Sequence, residues 1–425
     1  MRIIFLAMLL TLLATQPGCK PRQLVRPTPQ MDIEPRFWIR VLLLDNVTDC
    51  TLETASPFSV TGMEPDPFSV ALRRANPQIS TTPARFTPAA AATKVEISGG
   101  RITIAGRPFT SDELIAQPDD PHIFSLNGDG YRGKLEFRIN PDGRSFDVIN
   151  LVPLEPYLAG VVGAEMPDYW EPEALKAQAI AARTYCLYIK NRFGNNRHWD
   201  VTKTQANQVY LGVKAESAQV WDAVNDTYGQ VLVCKHPDGT EDIFPTYYSS
   251  ICAGHTENSE HVFGDSFEPL VGVACPYCKD VAKLGLFFWP MAQFDKTTVQ
   301  TKLFQKYPTL RRLREITNIV EAQKSDYGKF SRLTKVKLVD SAGKSDFLRA
   351  EDLRLTIDPT GRKIKSTICR IVEWDNKWAF LAGRGWGHGV GMCQCGAQGM
   401  ARQGKTAREI LYYYYPSSKI RTIDY

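Results

Sequence analysis

Three groups of residues in this 425-residue chain have the types and spacing to do chemistry. The first is Glu165, which follows Leu158, Val161 and Val162 on one face of a segment that Pro156 opens and Pro167 stops. An acid on the apolar face of a short helix, at its C-terminal end, is disfavoured as an anion by burial and by the negative end of the helix dipole. That is the setting of a general acid near neutral pH. On spacing alone, a structural ion pair with Arg183 or Lys176 is the commoner outcome. The second group is Cys252-x-x-His255 followed by Cys275-x-x-Cys278. Two short chelating pairs separated by a loop suit tetrahedral zinc, here as a closed set of three cysteines and one histidine with a structural role. His261 could replace a ligand or support one, and two disulfides or free thiols are the alternative.

The third group is the loop Gly383-Arg384-Gly385-Trp386-Gly387-His388-Gly389-Val390-Gly391-Met392. Alternating glycines let a backbone come close to a ligand or a second strand. The loop lacks the Lys-Ser/Thr of a phosphate-binding loop and the third glycine of a dinucleotide fingerprint. A lone histidine in such a loop is more often packed than catalytic, and Cys393 and Cys395 carry no assignment. His255 and His261 are six residues apart, so the stretch is not a zinc-protease motif, and no Gly-x-Ser-x-Gly elbow occurs. The tyrosines at 412–415 could stack on sugar rings, but on an amphipathic terminal helix they read as core.

The elements that must position these groups are legible in outline. From Phe37 to Val152 short alternating runs, such as Arg101–Ile104 and Lys134–Ile139, alternate with turn residues and predict a β-rich region. At Leu154 the period becomes helical. Pro172 opens a second helix that puts Leu175, Ala179, Ala182, Cys186 and Ile189 on one stripe and ends near Gly194. Residues 229–250 read as strands, Thr297 to Val320 as helix, and Thr334–Val339 as strand. The fold class expected is α+β, with a β-rich domain at 36–152 and a catalytic domain at 153–425 that carries an inserted subdomain at 281–380.

Residues 1–19 have the positive start and short apolar core of a secretory signal ending at Gly18-Cys19, which resembles a lipoprotein cleavage site. Residues 20–35 then read as a tether, and the chain is expected to be exported to the periplasm or cell envelope, with a lipid on Cys19 or none. Apart from that leader or lipid no membrane contact is expected. Hydrophobic residues make up 43% and charged residues 23%, which excludes a mostly disordered chain. The net charge of +5 arises from 51 basic and 46 acidic residues, too small an excess to support nucleic-acid binding.

Taken together, the motifs resemble those of the stage II sporulation protein D (SpoIID/LytB) family of bacterial cell-wall proteins. They are Leu154-Glu155-Pro156-Tyr157-Leu158-Ala159-Gly160-Val161-Val162-Gly163-Ala164-Glu165-Met166-Pro167 and Glu173-Ala174-Leu175-Lys176-Ala177-Gln178-Ala179-Ile180-Ala181-Ala182-Arg183-Thr184-Tyr185. Tyr247-Tyr248-Ser249-Ser250, Gly254-His255-Thr256-Glu257 and Gly385 to Gln394 follow in the family's order. The resemblance implies a lytic transglycosylase acting on peptidoglycan glycan strands, with Glu165 as acid/base and no second catalytic carboxylate. It also implies a preference for strands stripped of their stem peptides, a cell-wall amidase as partner, and zinc at the cysteine group. On this reading Arg183, Tyr247, Ser249, His388 and Gln394 line the substrate cleft, and Cys252, His255, Cys275 and Cys278 hold the metal. A non-catalytic, peptidoglycan-binding activator of an amidase is the competing expectation. A zinc-dependent hydrolase is a third, and requires an open metal site.

Overall fold

The computed structural model describes residues 37–62, 84–87, 92–236 and 238–424. The expected leader, the tether and Cys19 lie outside these residues. Among the described residues no helix is long and apolar enough to cross a membrane.

The chain is α+β. Its first part forms a six-stranded sheet and six strands of a seven-stranded one, whose edge strand Val201–Thr202 comes from beyond the helices. Alternating burial along Trp38–Val47 and Glu113–Pro118 shows why: every second side chain enters the core, the period a half-buried strand requires. The strand Phe146–Pro153 pairs with both Trp38–Val47 and Lys134–Ile139, and runs directly into the helix Leu154–Glu165. This helix is covered by residues 209–216 and by the helix Ala218–Asp226. A side chain at Gly163 would collide with the Ala215 carbonyl, so the close approach admits only glycine.

Pro172–Phe193 is the central helix of the molecule, packed between Ala218–Asp226, Gln394–Arg402 and Ala407–Tyr414. The expected stripe of Leu175, Ala179, Ala182, Cys186 and Ile189 is buried. So are Ala177, Ile180, Ala181 and Tyr185, because small alanines let neighbours close in from every side. One large hydrophobic core runs without a break from the N-terminal sheets through these helices to Tyr414 and Tyr415. A second core, from Trp289 to Phe380, holds two small sheets and the helices Lys296–Lys306 and Ala350–Ile357.

The expected helix from Thr297 to Val320 is corrected. It ends at Lys306, since Pro308 cannot continue it, and the β-branched run from Ile316 becomes the strand Ile316–Lys324.

Two parallel two-residue strands matter most for the site. Tyr248–Ser249 pairs with Met392–Cys393, and isolated bridges join Ile251 to Trp386 and Glu257 to Val390. The Tyr-Tyr-Ser-Ser and His-Thr-Glu segments are thereby laid along the glycine-rich loop.

Candidate functional site

Glu165 is the last residue of its helix, half-buried, and faces the start of the helix Gln394–Arg402. Its Oε1 accepts from the Val209 N–H at 2.9 Å, and its Oε2 from Gln394 Nε2 at 3.4 Å. Burial pushes its pKa above the ordinary carboxyl range, and the two N–H donors pull in the other direction. The ion pairs that spacing allowed do not form. Arg183 binds Glu155 through two bonds of 2.8 and 2.6 Å, while Lys176 is shared between Glu173 and Asp226. Among the described residues Glu165 has no cationic partner, which leaves a carboxyl that can hold a proton and release it.

The other expected site residues divide. The Tyr247 ring stacks on Phe263 at 4.2 Å and its hydroxyl donates to Asp265 Oδ2 at 2.9 Å. Gln394, nearly buried, touches both Glu165 and, at 3.5 Å, Gln178 Oε1. Ser249 is buried with its Oγ lacking a hydrogen-bond partner among the described residues, and it packs against Gly387. His388 accepts from the Val390 N–H at 3.0 Å through Nδ1, and burial pushes its pKa down to about 4. It is therefore neutral at pH 7, and its Nδ1 ties the loop to the Val390 N–H.

Arg183 is a correction. Its guanidinium is fully buried on Glu155 and the carbonyls of Gln230 and Val224, a structural ion pair closed to solvent. A fully desolvated guanidinium needs such a partner set.

The metal ligand set is also corrected. Cys252, Cys275, Cys278 and Cys393 bring their Sγ atoms within 4.8 Å of one another, all buried. His255 turns away: its Nδ1 lies 2.6 Å from the Thr256 carbonyl and its ring stacks on Tyr327 at 3.7 Å. Cys393 takes the place expected for His255 because the parallel pairing of Met392–Cys393 with Tyr248–Ser249 carries it to Cys252, whose N–H donates to Cys393 Sγ at 3.3 Å. A tetrahedral zinc centre with four Zn–S bonds of about 2.3 Å has S···S edges of about 3.8 Å. The Cys252–Cys278 separation is 3.8 Å, so the residues present fit a metal with four thiolate ligands. The Tyr414 hydroxyl lies 3.0 Å from Cys275 Sγ, where it can support a ligand from outside. His261 bonds Glu257 at 2.9 Å and takes no part in the cluster.

Sequence reasoning missed Arg332. It is buried, comes from the second core's Leu333–Asp340 hairpin, and donates to the carbonyls of Cys252 and Gly387. A side chain at Gly389 would strike its guanidinium, and Gly389 has a positive φ of 80°. Only the assembled fold reveals that the second core thereby braces the glycine-rich loop. Nothing local to Arg332 in the sequence signals it.

A family model described as stage II sporulation protein matches residues 142–234. An uncharacterized protein of Brachyspira hyodysenteriae is 35% identical over 307 residues, covering 71% of this chain and 74% of that protein. Stage II sporulation protein D of Bacillus subtilis is 31% identical over 293 residues, covering 64% of this chain and 76% of that protein. The amidase enhancer of Bacillus subtilis is 27% identical over 363 residues, 77% of this chain but 49% of that protein.

Proposed function

Because the chain belongs to the stage II sporulation protein D family, we propose that it is an envelope-located lytic transglycosylase that cleaves peptidoglycan glycan strands. The family and its amidase-enhancer relative support a cell-wall-related role. The observation that carries the catalytic reading is Glu165: a half-buried carboxyl with a raised pKa, no cationic partner among the described residues, and Gln394 Nε2 donating to its Oε2.

In this reading protonated Glu165 donates to the glycosidic oxygen, and the bond from that oxygen to the sugar's C1 breaks. The 6-hydroxyl oxygen of the same sugar then bonds to C1 and gives its proton to the Glu165 carboxylate. No water is consumed, the carboxyl returns to its starting state, and the new end is a 1,6-anhydro-muramic acid. One titrating group serves both halves, whereas the usual glycosidase uses two. Peptide-stripped strands are the expected substrate, which places a cell-wall amidase upstream.

The four thiols suit zinc, which would supply a closed structural cross-link and no open position for substrate. Cys393 and Gln394 are adjacent, so a metal held there fixes the start of the helix that presents Gln394 to Glu165.

The test is mass spectrometry of products from denuded and intact glycan strands incubated with wild type and Glu165→Gln. Anhydro-muramic ends from the wild type alone are expected, with loss of at least about 100-fold in the variant. Reducing ends would instead indicate hydrolysis. The second reading, a peptidoglycan-binding amidase activator, is favoured by the similarity to the amidase enhancer along most of this chain. It predicts no glycan products from either protein and stimulation of an added amidase by both.

A further inference from the structure

Tyr248 stands beside Glu165, half-buried, and Glu165 acts electrostatically on its hydroxyl. The fold fixes what that hydroxyl can do. Gln208 is buried, and its Nε2 donates to the Ala182 carbonyl at 3.2 Å and to the Tyr248 oxygen at 2.9 Å. The Ala182 carbonyl can only accept, so the NH2 end of the amide must face it and the amide cannot be turned over. Gln208 Oε1 can likewise only accept, and it receives the hydroxyl of the buried Tyr157 at 3.0 Å. Both Nε2 hydrogens are then used, and the Tyr248 oxygen is the acceptor in its pair.

The Tyr248 hydrogen is left over, and no hydrogen bond joins it to Glu165, whose Oε1 and Oε2 accept from Val209 and Gln394. Among the described residues Gln208 is the one hydrogen-bond partner of this phenol. A buried relay, Tyr157 to Gln208 to Tyr248, thus ends in a donor with no acceptor, next to the carboxyl that breaks the bond.

We infer that Tyr248 is a second catalytic residue, whose phenolic hydrogen is donated to an oxygen of the N-acetylated sugar at the bond Glu165 cleaves. The inference rests on the reading of Glu165 as the acid/base of a glycan-cleaving enzyme. The contact is a hydrogen bond, and no proton changes owner: burial and the neighbouring Glu165 hold the phenol well above its ordinary pKa, so it stays O–H. Gln208 is the positioning residue, since it keeps the hydroxyl turned outward.

The experiment measures steady-state cleavage of purified denuded strands by wild type, Tyr248→Phe and Gln208→Glu. The first keeps the ring and removes the donor. The second keeps the size of the side chain but offers an acceptor to Tyr248, which turns the hydroxyl inward. Both are expected to lower kcat about 100-fold, the usual effect of losing one preorganised donor, with KM within about twofold of wild type. Strand binding by Glu165→Gln is expected to be unchanged when Tyr248→Phe is added. Wild-type kcat in Tyr248→Phe overturns the inference alone, as does a raised KM at unchanged kcat. Absence of any cleavage by wild type overturns both it and the proposed function.

Discussion

Glu165 is held between opposing influences, and its pH behaviour follows from which one is removed. Burial favours the neutral acid, while the Val209 and Gln394 N–H groups favour the anion. Acting first as an acid, the group must carry its proton, so cleavage is lost as pH rises through its raised pKa. His388 contributes no limb near neutrality, because its pKa of about 4 leaves it uncharged above about pH 5. Gln394→Leu deletes one of the two donors that stabilise the anion, so the proton is held to higher pH. The alkaline limb of kcat/KM is therefore expected to move upward in this variant, with kcat also reduced. A limb that stays put or moves down would show that Gln394 does not act on Glu165.

At the scale of elements, Glu155 and Arg183 join the two helices that frame the site. Glu155 lies in the first turn of Leu154–Glu165 and Arg183 in the middle of Pro172–Phe193, and their bidentate contact is out of solvent. Removing one member strands the other charge, so Arg183→Met is expected to cost about 3–5 kcal/mol in urea unfolding. Replacing both, as in Arg183→Met with Glu155→Leu, should recover most of that loss. A single variant as stable as wild type would contradict the pairing.

The same two helices show what the sequence made legible. Pro156, Pro167, Pro172 and Gly194 mark their ends, and the apolar spacing marks their buried faces, because both signals are local. The role of Arg183 was not legible. A residue on a motif helix reads equally well as ligand or strut until the partner helix is in place. The strand at Ile316 was misread for a related reason, since short apolar runs fit either period and Pro308 alone decided the outcome. Tyr248 was visible within a motif but carried no role there, because what orients its hydroxyl is a bond to Gln208, forty residues away.

Across the whole molecule, the thiol cluster ties together segments that the chain separates widely. Cys252, Cys275 and Cys278 lie on the loop that follows the Tyr248–Ser249 strand, and Cys393 closes the set from 141 residues beyond Cys252. Arg332 reaches in from the second core to the Cys252 and Gly387 carbonyls, so that core is braced against the same point. Local spacing made the two short cysteine-containing pairs visible, but a fourth ligand delivered by strand pairing carries no local spacing at all. The two candidate sets make opposite predictions at two positions. With a centre of four cysteines, Cys393→Ser is expected to lower bound zinc from about one per chain to near zero, while His255→Ala retains it; a centre of three cysteines and His255 reverses the outcome. Metal analysis of the purified variants decides between them. A closed centre would hold the glycine-rich loop and Gln394 in place, so chelation should lower the unfolding temperature and glycan cleavage together. Recovery of both on adding zinc back would separate metal loss from irreversible thiol oxidation. Chelation that leaves the unfolding temperature unchanged would remove the cluster from any account of how the site is held.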